Sequence, residues 1–189
     1  MRVSVRRRSV LCLFFVVLML ALFTFNTSVQ ATGSDAFIYL PLVIGTSIED
    51  QVVTLINQQR HLDGCNVDLA ISAPLKVAAL GHSRDMALND FFSHEGSDQS
   101  TMETRAVAAG YSYSLLAENI QAGARSPEEV VNDPIMGWMQ SPGHRANILN
   151  CSLREIGIGY YFQADDQVIS GVGGPFLHYW TADFGTQQP

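Results

Sequence analysis

Lysine is almost missing from this chain: Lys76 is the only one in 189 residues, and the 11 basic residues face 18 acidic ones. A surface that grips nucleic acid needs a surplus of Lys and Arg to displace counterions from phosphates, so nucleic acid is excluded as a partner. Anionic membrane surfaces are disfavoured on the same ground. Cysteine is scarce too, with Cys12, Cys65 and Cys151 the whole complement. No segment repeats and no tract is of low complexity, which leaves out solenoids and propellers. There is no Gly-x-Ser-x-Gly elbow to present a serine nucleophile. Long apolar runs are absent apart from Val10 to Phe23, and that one is shorter than the roughly 20 residues needed to cross a bilayer.

What is present begins with that run. It follows Arg2, Arg6, Arg7 and Arg8 and ends as polarity returns at Thr24 and Asn26, the layout of an export signal. Val29-Gln30-Ala31 supplies small residues where a signal peptidase reads, so cleavage is expected after Ala31. An uncleaved anchor is the alternative, and the arginines leave a twin-arginine route open. Either way the remaining chain is expected outside the cytoplasmic membrane, secreted, with no stable membrane span once residues 1–31 are removed. Removal takes four arginines and no acids, which leaves 7 basic residues against 18 acidic ones and a formal charge of −11. Cys12 leaves with the signal. Cys65 and Cys151 form an even pair in an oxidising compartment and read as a disulfide, with two unpaired buried thiols as the other reading.

Residues 32–48 read as a leader or linker, since Pro41 interrupts its apolar stretch Phe37 to Ile44, and residues 49–187 as one domain. Val52, Leu55, Ile56 and Gln59 keep helical spacing behind the first-turn acids Glu49 and Asp50. A second helix is predicted from about Leu75 to Asp90, with Leu75, Ala78, Ala79, His82 and Met86 on one face. Ser100 to Glu103 reads as a capping box for a third that stops at Gly110. Ser126-Pro127-Glu128-Glu129 opens a fourth, and Pro134 predicts a break near Asp133 with a new helical piece through Trp138 to Gln140. The period then changes to two over Ile156 to Phe162, followed by a predicted hairpin partner at Val168 to Val172 and a third strand at Phe176 to Phe184. Helices first and strands after point to an α+β layered domain.

Five stretches stand out: Phe91-Phe92-Ser93-His94, Ala117-Glu118-Asn119-Ile120, Trp138 to Leu149 with its Ser-Pro-Gly-His-Arg-Ala-Asn core, Ile156-Gly157-Ile158-Gly159, and Tyr179 to Gly185. In order and spacing they resemble the signatures of the CAP superfamily, the cysteine-rich secretory, antigen and pathogenesis-related proteins, in its bacterial exported form. The resemblance spans about residues 49–185. It implies a three-layer α–β–α sandwich with a small antiparallel sheet. It also implies a cleft in which two histidines and acids meet, often around a divalent metal such as zinc. Position by position, the histidines are His94 and His144 and the acid is Glu118. The place of the family's second acid, about three residues past Trp138, holds Ser141 here. Two imidazoles and one carboxylate suffice for an open zinc site, and equally for a hydrogen-bonded polar cluster.

Blander roles stand beside these. His94 can be a loop histidine capping a helix end, Glu118 at a helix start or in a loop can hold backbone amides, and His144 can sit at a helix N-terminus. Asn119, Ser141, Arg145 and Asn147 read as supporting residues, with Asn147 anchoring backbone and Arg145 paired to an acid. His82 reads as a satisfied core histidine. The missing acid tips the reading toward a binding module for a lipid or sterol, a peptide or a cell-wall fragment, over a metal-dependent hydrolase in which Glu118 would be a ligand or general base.

Overall fold

The computed structural model describes residues 46–189. The predicted signal and most of the leader lie outside them. The Ser47 hydroxyl accepts the Asp50 amide at 3.1 Å and opens helix α1, Ile48–Leu62, with Glu49 and Asp50 at its positive end. Then come β1 (Ala70–Ile71), α2 (Ala73–Leu88), α3 (Met102–Ala108), β2 (Tyr113–Ala122) and α4 (Pro127–Asn132). A 3₁₀ turn at Trp138–Gln140 leads into α5 (Pro142–Leu149), and β3 (Glu155–Phe162) and β4 (His178–Gln187) finish the chain. The break at Pro134 falls where the sequence places it, and the Asp133 carboxylate accepts the amides of Ile135 and Met136 at 2.9 and 2.8 Å.

The four strands lie in the order β1-β3-β4-β2, so β2 is an edge. β2–β4 and β3–β4 are antiparallel, while the two-residue β1 runs parallel to β3, which makes the sheet mixed. One face of the sheet carries Ile156, Ile158, Trp180, Ala182 and Phe184 into a core shared with Val52, Leu55, Ile56, Val130, Trp138 and Ile148. The other face packs on α2 and α3 through Leu75, Met86, Ala87, Ala106, Tyr111 and Tyr179. Three layers result, and the period-two alternation of the strands sets which side chain enters which core.

Three sequence expectations change here. The cap of α3 is Thr101 with Thr104, whose hydroxyls and amides exchange hydrogen bonds of 3.4 and 2.8 Å, one residue beyond the predicted Ser100–Glu103 box. Ser100 is held elsewhere, its amide on Asp98 at 2.9 Å. Val168 to Val172 is not a strand; it makes one bridge, Ile169 to Gly173, and β4 pairs with β3 directly. Buried Asp166 explains why: it accepts the Phe176 and Leu177 amides and the Tyr179 hydroxyl at 2.6, 2.9 and 2.9 Å, closing the segment into a loop. The β2 strand has no counterpart in the sequence reading, because its Asn119 and Gln121 spend their side chains on backbone carbonyls of the facing layer and break the apolar rhythm.

Gly157 and Gly159 let α2 rest on β3. A Cβ at Gly159 would overlap the Ala79 and Leu80 backbone, whereas one at Gly81, within α2, meets nothing within 4 Å. Gly159→Ala is therefore expected to cost about 1–3 kcal/mol by overpacking, and Gly81→Ala to gain up to about 1 kcal/mol. Urea midpoints check both, and equal values for the two variants would contradict the close approach.

Candidate functional site

Glu118 sits in the edge strand β2 and points toward α2 and α3, not at a helix start or in a loop. Its side chain is 3% exposed, yet it is an anion: burial pushes its carboxyl up, and the hydrogen bond from His94 together with the Arg105 charge outweighs this and holds it below the ordinary range. One oxygen accepts His94 Nδ1–H at 2.7 Å and the other accepts Arg105 at 2.6 Å. An ionised carboxylate only accepts, so the His94 proton stands on Nδ1, and in the neutral ring the lone pair is on Nε2. The ring itself is 57% exposed. Arg105, on α3, binds the main chain of the same loop as well, donating to the His94 carbonyl at 3.1 Å and the Ser100 carbonyl at 3.0 Å.

Behind this pair stands His82 of α2, fully buried, donating from Nε2 to the Ser93 carbonyl at 2.9 Å. Burial lowers its pKa, so it is neutral and its Nδ1 is an acceptor with no partner among the described residues. His82 thus positions the loop that carries His94, and it is only half satisfied. A cavity of about 390 Å³ opens above the group, lined by His94, Glu95, Thr101, Met102, Glu103 and Glu118. Glu103 is kept ionised at its rim, its pKa drawn down by the Thr101 hydroxyl.

His144 stands in the opposite layer, in the first turn of α5, and is not among the residues lining that cavity. Its ring is half-buried and makes no hydrogen bond among the described residues; burial and then the charge of His94 lower its pKa. The supporting residues fix α5 to the edge strand. Asn119 donates to the His144 carbonyl at 3.1 Å, and Asn147 donates to the Asn119 side chain at 2.8 Å and to the Glu118 carbonyl at 3.2 Å. Arg145 turns away to Asp63 at 3.1 Å. Ser141 holds the N-cap position of α5 without a side-chain cap bond. Cys65 and Cys151 are joined, Cα to Cα 5.8 Å.

Sequence reasoning missed two members, Arg105 and Asp183. Arg105 carried no motif, though it is the only arginine of the third helix. Asp183 lay in plain view inside the Tyr179–Gly185 stretch, an acid in the middle of a strand that is buried from Tyr179 to Gly185.

The donors do not fit a resident metal held by protein ligands. No three or more His, Cys, Asp or Glu side chains gather around a common point among the described residues. Both Glu118 oxygens are already engaged, and Arg105 places a positive charge on one of them. Two imidazoles remain, one short of the three protein ligands an open zinc site uses.

Comparison with known proteins bears on the family and the fold. The profile of the CAP, cysteine-rich secretory protein family matches residues 53–184. The uncharacterized protein YkwD of Bacillus subtilis (strain 168) is 36% identical over 115 residues, 61% of this chain and 43% of its own. An extracellular protein containing an SCP domain from Bacillus anthracis superposes with a TM-score of 0.57 at 28% identity, over 74% of this chain and 40% of that one. An outer surface protein of Borrelia burgdorferi shares the fold at a TM-score of 0.58 and 19% identity, over 76% of this chain and 97% of its own. This chain thus spans about two fifths of the length of the two Bacillus proteins. With the five motifs, the three layers and the match over residues 53–184 in agreement, the chain belongs to the cysteine-rich secretory protein (CAP) family.

Proposed function

We propose that this is an exported binding module that holds a peptide in the cleft above Glu118, with no metal and no covalent step. The observation that carries the reading is the commitment of Glu118: both of its oxygens are bound, one to His94 and one to Arg105. A general base must reach a water, and Glu118, with a side chain 3% exposed and a donor already on each oxygen, is poorly placed to do so. What the pair does instead is fix one tautomer of an exposed imidazole, so that His94 offers Nε2 to an incoming donor. Glu95 and the ionised Glu103 give the rim negative charge, and Met102 gives it an apolar surface. That combination suits a basic or amide-rich peptide better than a sterol, which calls for a largely apolar enclosure. The extracellular character of the Bacillus anthracis relative supports export. Among the described residues no helix is long and apolar enough to cross a membrane.

An array of short basic, neutral and acidic peptides, probed with the secreted chain, tests the reading. Basic peptides are expected to be retained, more weakly at high salt, and at least tenfold more weakly, about 1.4 kcal/mol, by His94→Ala. Equal retention by His94→Ala would sink the cleft as the binding place. Calorimetric uptake of one zinc ion per chain, lost in a His94→Ala, His144→Ala double variant, would restore the metal and the hydrolase alternative with it.

A further inference from the structure

Asp183 of β4 lies directly opposite Glu118 in the β2–β4 register and is 0% exposed. Neither of its oxygens receives a hydrogen bond among the described residues. Its neighbour on the other side is Gly157 of β3, which brings no side chain and lies beneath the backbone of α2. The charged groups that act on Asp183 are Glu118 from β2 and Arg105 from α3, and His82 from α2 stands near both of these. Arg105 is the one cation among these three, and it is spent on Glu118. Were Asp183 ionised too, two buried carboxylates would share a single guanidinium, with one of them lacking any donor. A proton carried by Asp183 itself removes the conflict: it converts two acceptors into a donor and an acceptor.

We propose that Asp183 is a second, permanently protonated carboxyl of the site, which donates a hydrogen bond to Glu118 and thereby positions the carboxylate that orients His94. Burial raises the Asp183 carboxyl well above its ordinary range, and the charge of Glu118 and hydrogen bonding to it act in the same direction. Glu118 then collects three donors, from the loop, from α3 and from β4. The acid absent at Ser141 has a counterpart in the sheet, where it is neutral and out of reach of any ligand. Asp183 is a positioning residue, since it touches nothing in the cavity. Its meaning for binding rests on the cleft reading above, but its protonation does not.

Infrared spectroscopy of the exported chain separates the two questions. A carbonyl stretch of a protonated carboxylic acid is expected at neutral pH, shifted in heavy water and missing from Asp183→Asn. Absence of the band from the unmodified protein, or its survival in Asp183→Asn, would overturn the assignment whether or not any peptide binds. The positioning role is read from the His94 ring by nitrogen-15 shifts. Asp183→Asn, which keeps a donor of the same shape, is expected to retain the Nδ1–H tautomer, and Asp183→Ala to lose its dominance. An unchanged His94 tautomer in Asp183→Ala would leave Asp183 a mere filler and refute the role.

Discussion

Replacing Arg60 by methionine is expected to cost about 3–5 kcal/mol, a large share of what holds a domain of this size folded. Arg60 is 0% exposed near the C-terminal end of α1, with no carboxylate bonded to it among the described residues. Its partners are four backbone carbonyls: Val67 at 3.1 Å, Ile148 at 2.8 Å, Asn150 at 2.9 Å and Leu153 at 3.2 Å. Burial lowers its pKa, as it must for a cation out of water, and the nearby Arg154 adds to this. What compensates is geometry: the planar guanidinium meets the negative end of α5 and stitches it to the turn before β3. Methionine fills similar space but takes a donor from all four; Asn150 keeps the Leu153 amide at 3.1 Å and Leu153 keeps Arg154 at 3.5 Å, while Val67 and Ile148 lose their bond to the guanidinium, at about 1–3 kcal/mol for each carbonyl left unpaired and buried. Lysine is expected to recover only part, since one ammonium cannot span acceptors arranged on several sides. Urea unfolding of the two variants decides it, and an Arg60→Met midpoint close to the parent's would refute the assignment.

The Cys65–Cys151 bridge carries the second large effect. It closes a loop with a sequence separation of 86, for which chain entropy gives on the order of 4 kcal/mol. Reduction is thus expected to lower the melting temperature markedly, while the native contacts stay in place. The expectation is specific about route: the loss comes mainly from a freer unfolded chain, so folding should slow more than unfolding quickens. Matched melting curves with and without reductant would argue against it. Arg60 and the bridge fasten the same two pieces of chain, the end of α1 and the α5–β3 connection. Their combined loss is expected to be non-additive, which a double-variant cycle measures.

Legibility in the sequence followed periodicity. Helix α1 is plain because it has one apolar face and one wet one, α2 because Leu75, Ala78, Ala79, His82 and Met86 recur at helical spacing, α4 through its Ser126 cap, and β3 through isoleucine alternating with glycine. Strand β2 escaped because its inward face is polar: Asn119 and Gln121 serve as hydrogen-bond donors to α5 and to the turn before it, so no hydrophobic rhythm marks it. The Val168–Val172 segment misled for the opposite reason. It has strand-like residues, but Asp166 captures the following amides and no partner strand is left for it. At the site, His94 and Glu118 were found by motif, and their mutual hydrogen bond is now a distance, 2.7 Å. Arg105 and Asp183 were not, since a lone arginine on a short helix and one acid in a strand become informative only when folding sets them against Glu118.

Glu118 is gripped twice, and by different halves of the molecule. Its carboxylate belongs to the α3 side through His94 and Arg105, while its main-chain carbonyl is held by Asn147 of α5 on the other. One residue of the edge strand is thus the knot between the loop that bears His94 and the helix that bears His144, and a displacement of the strand there would loosen both moorings at once.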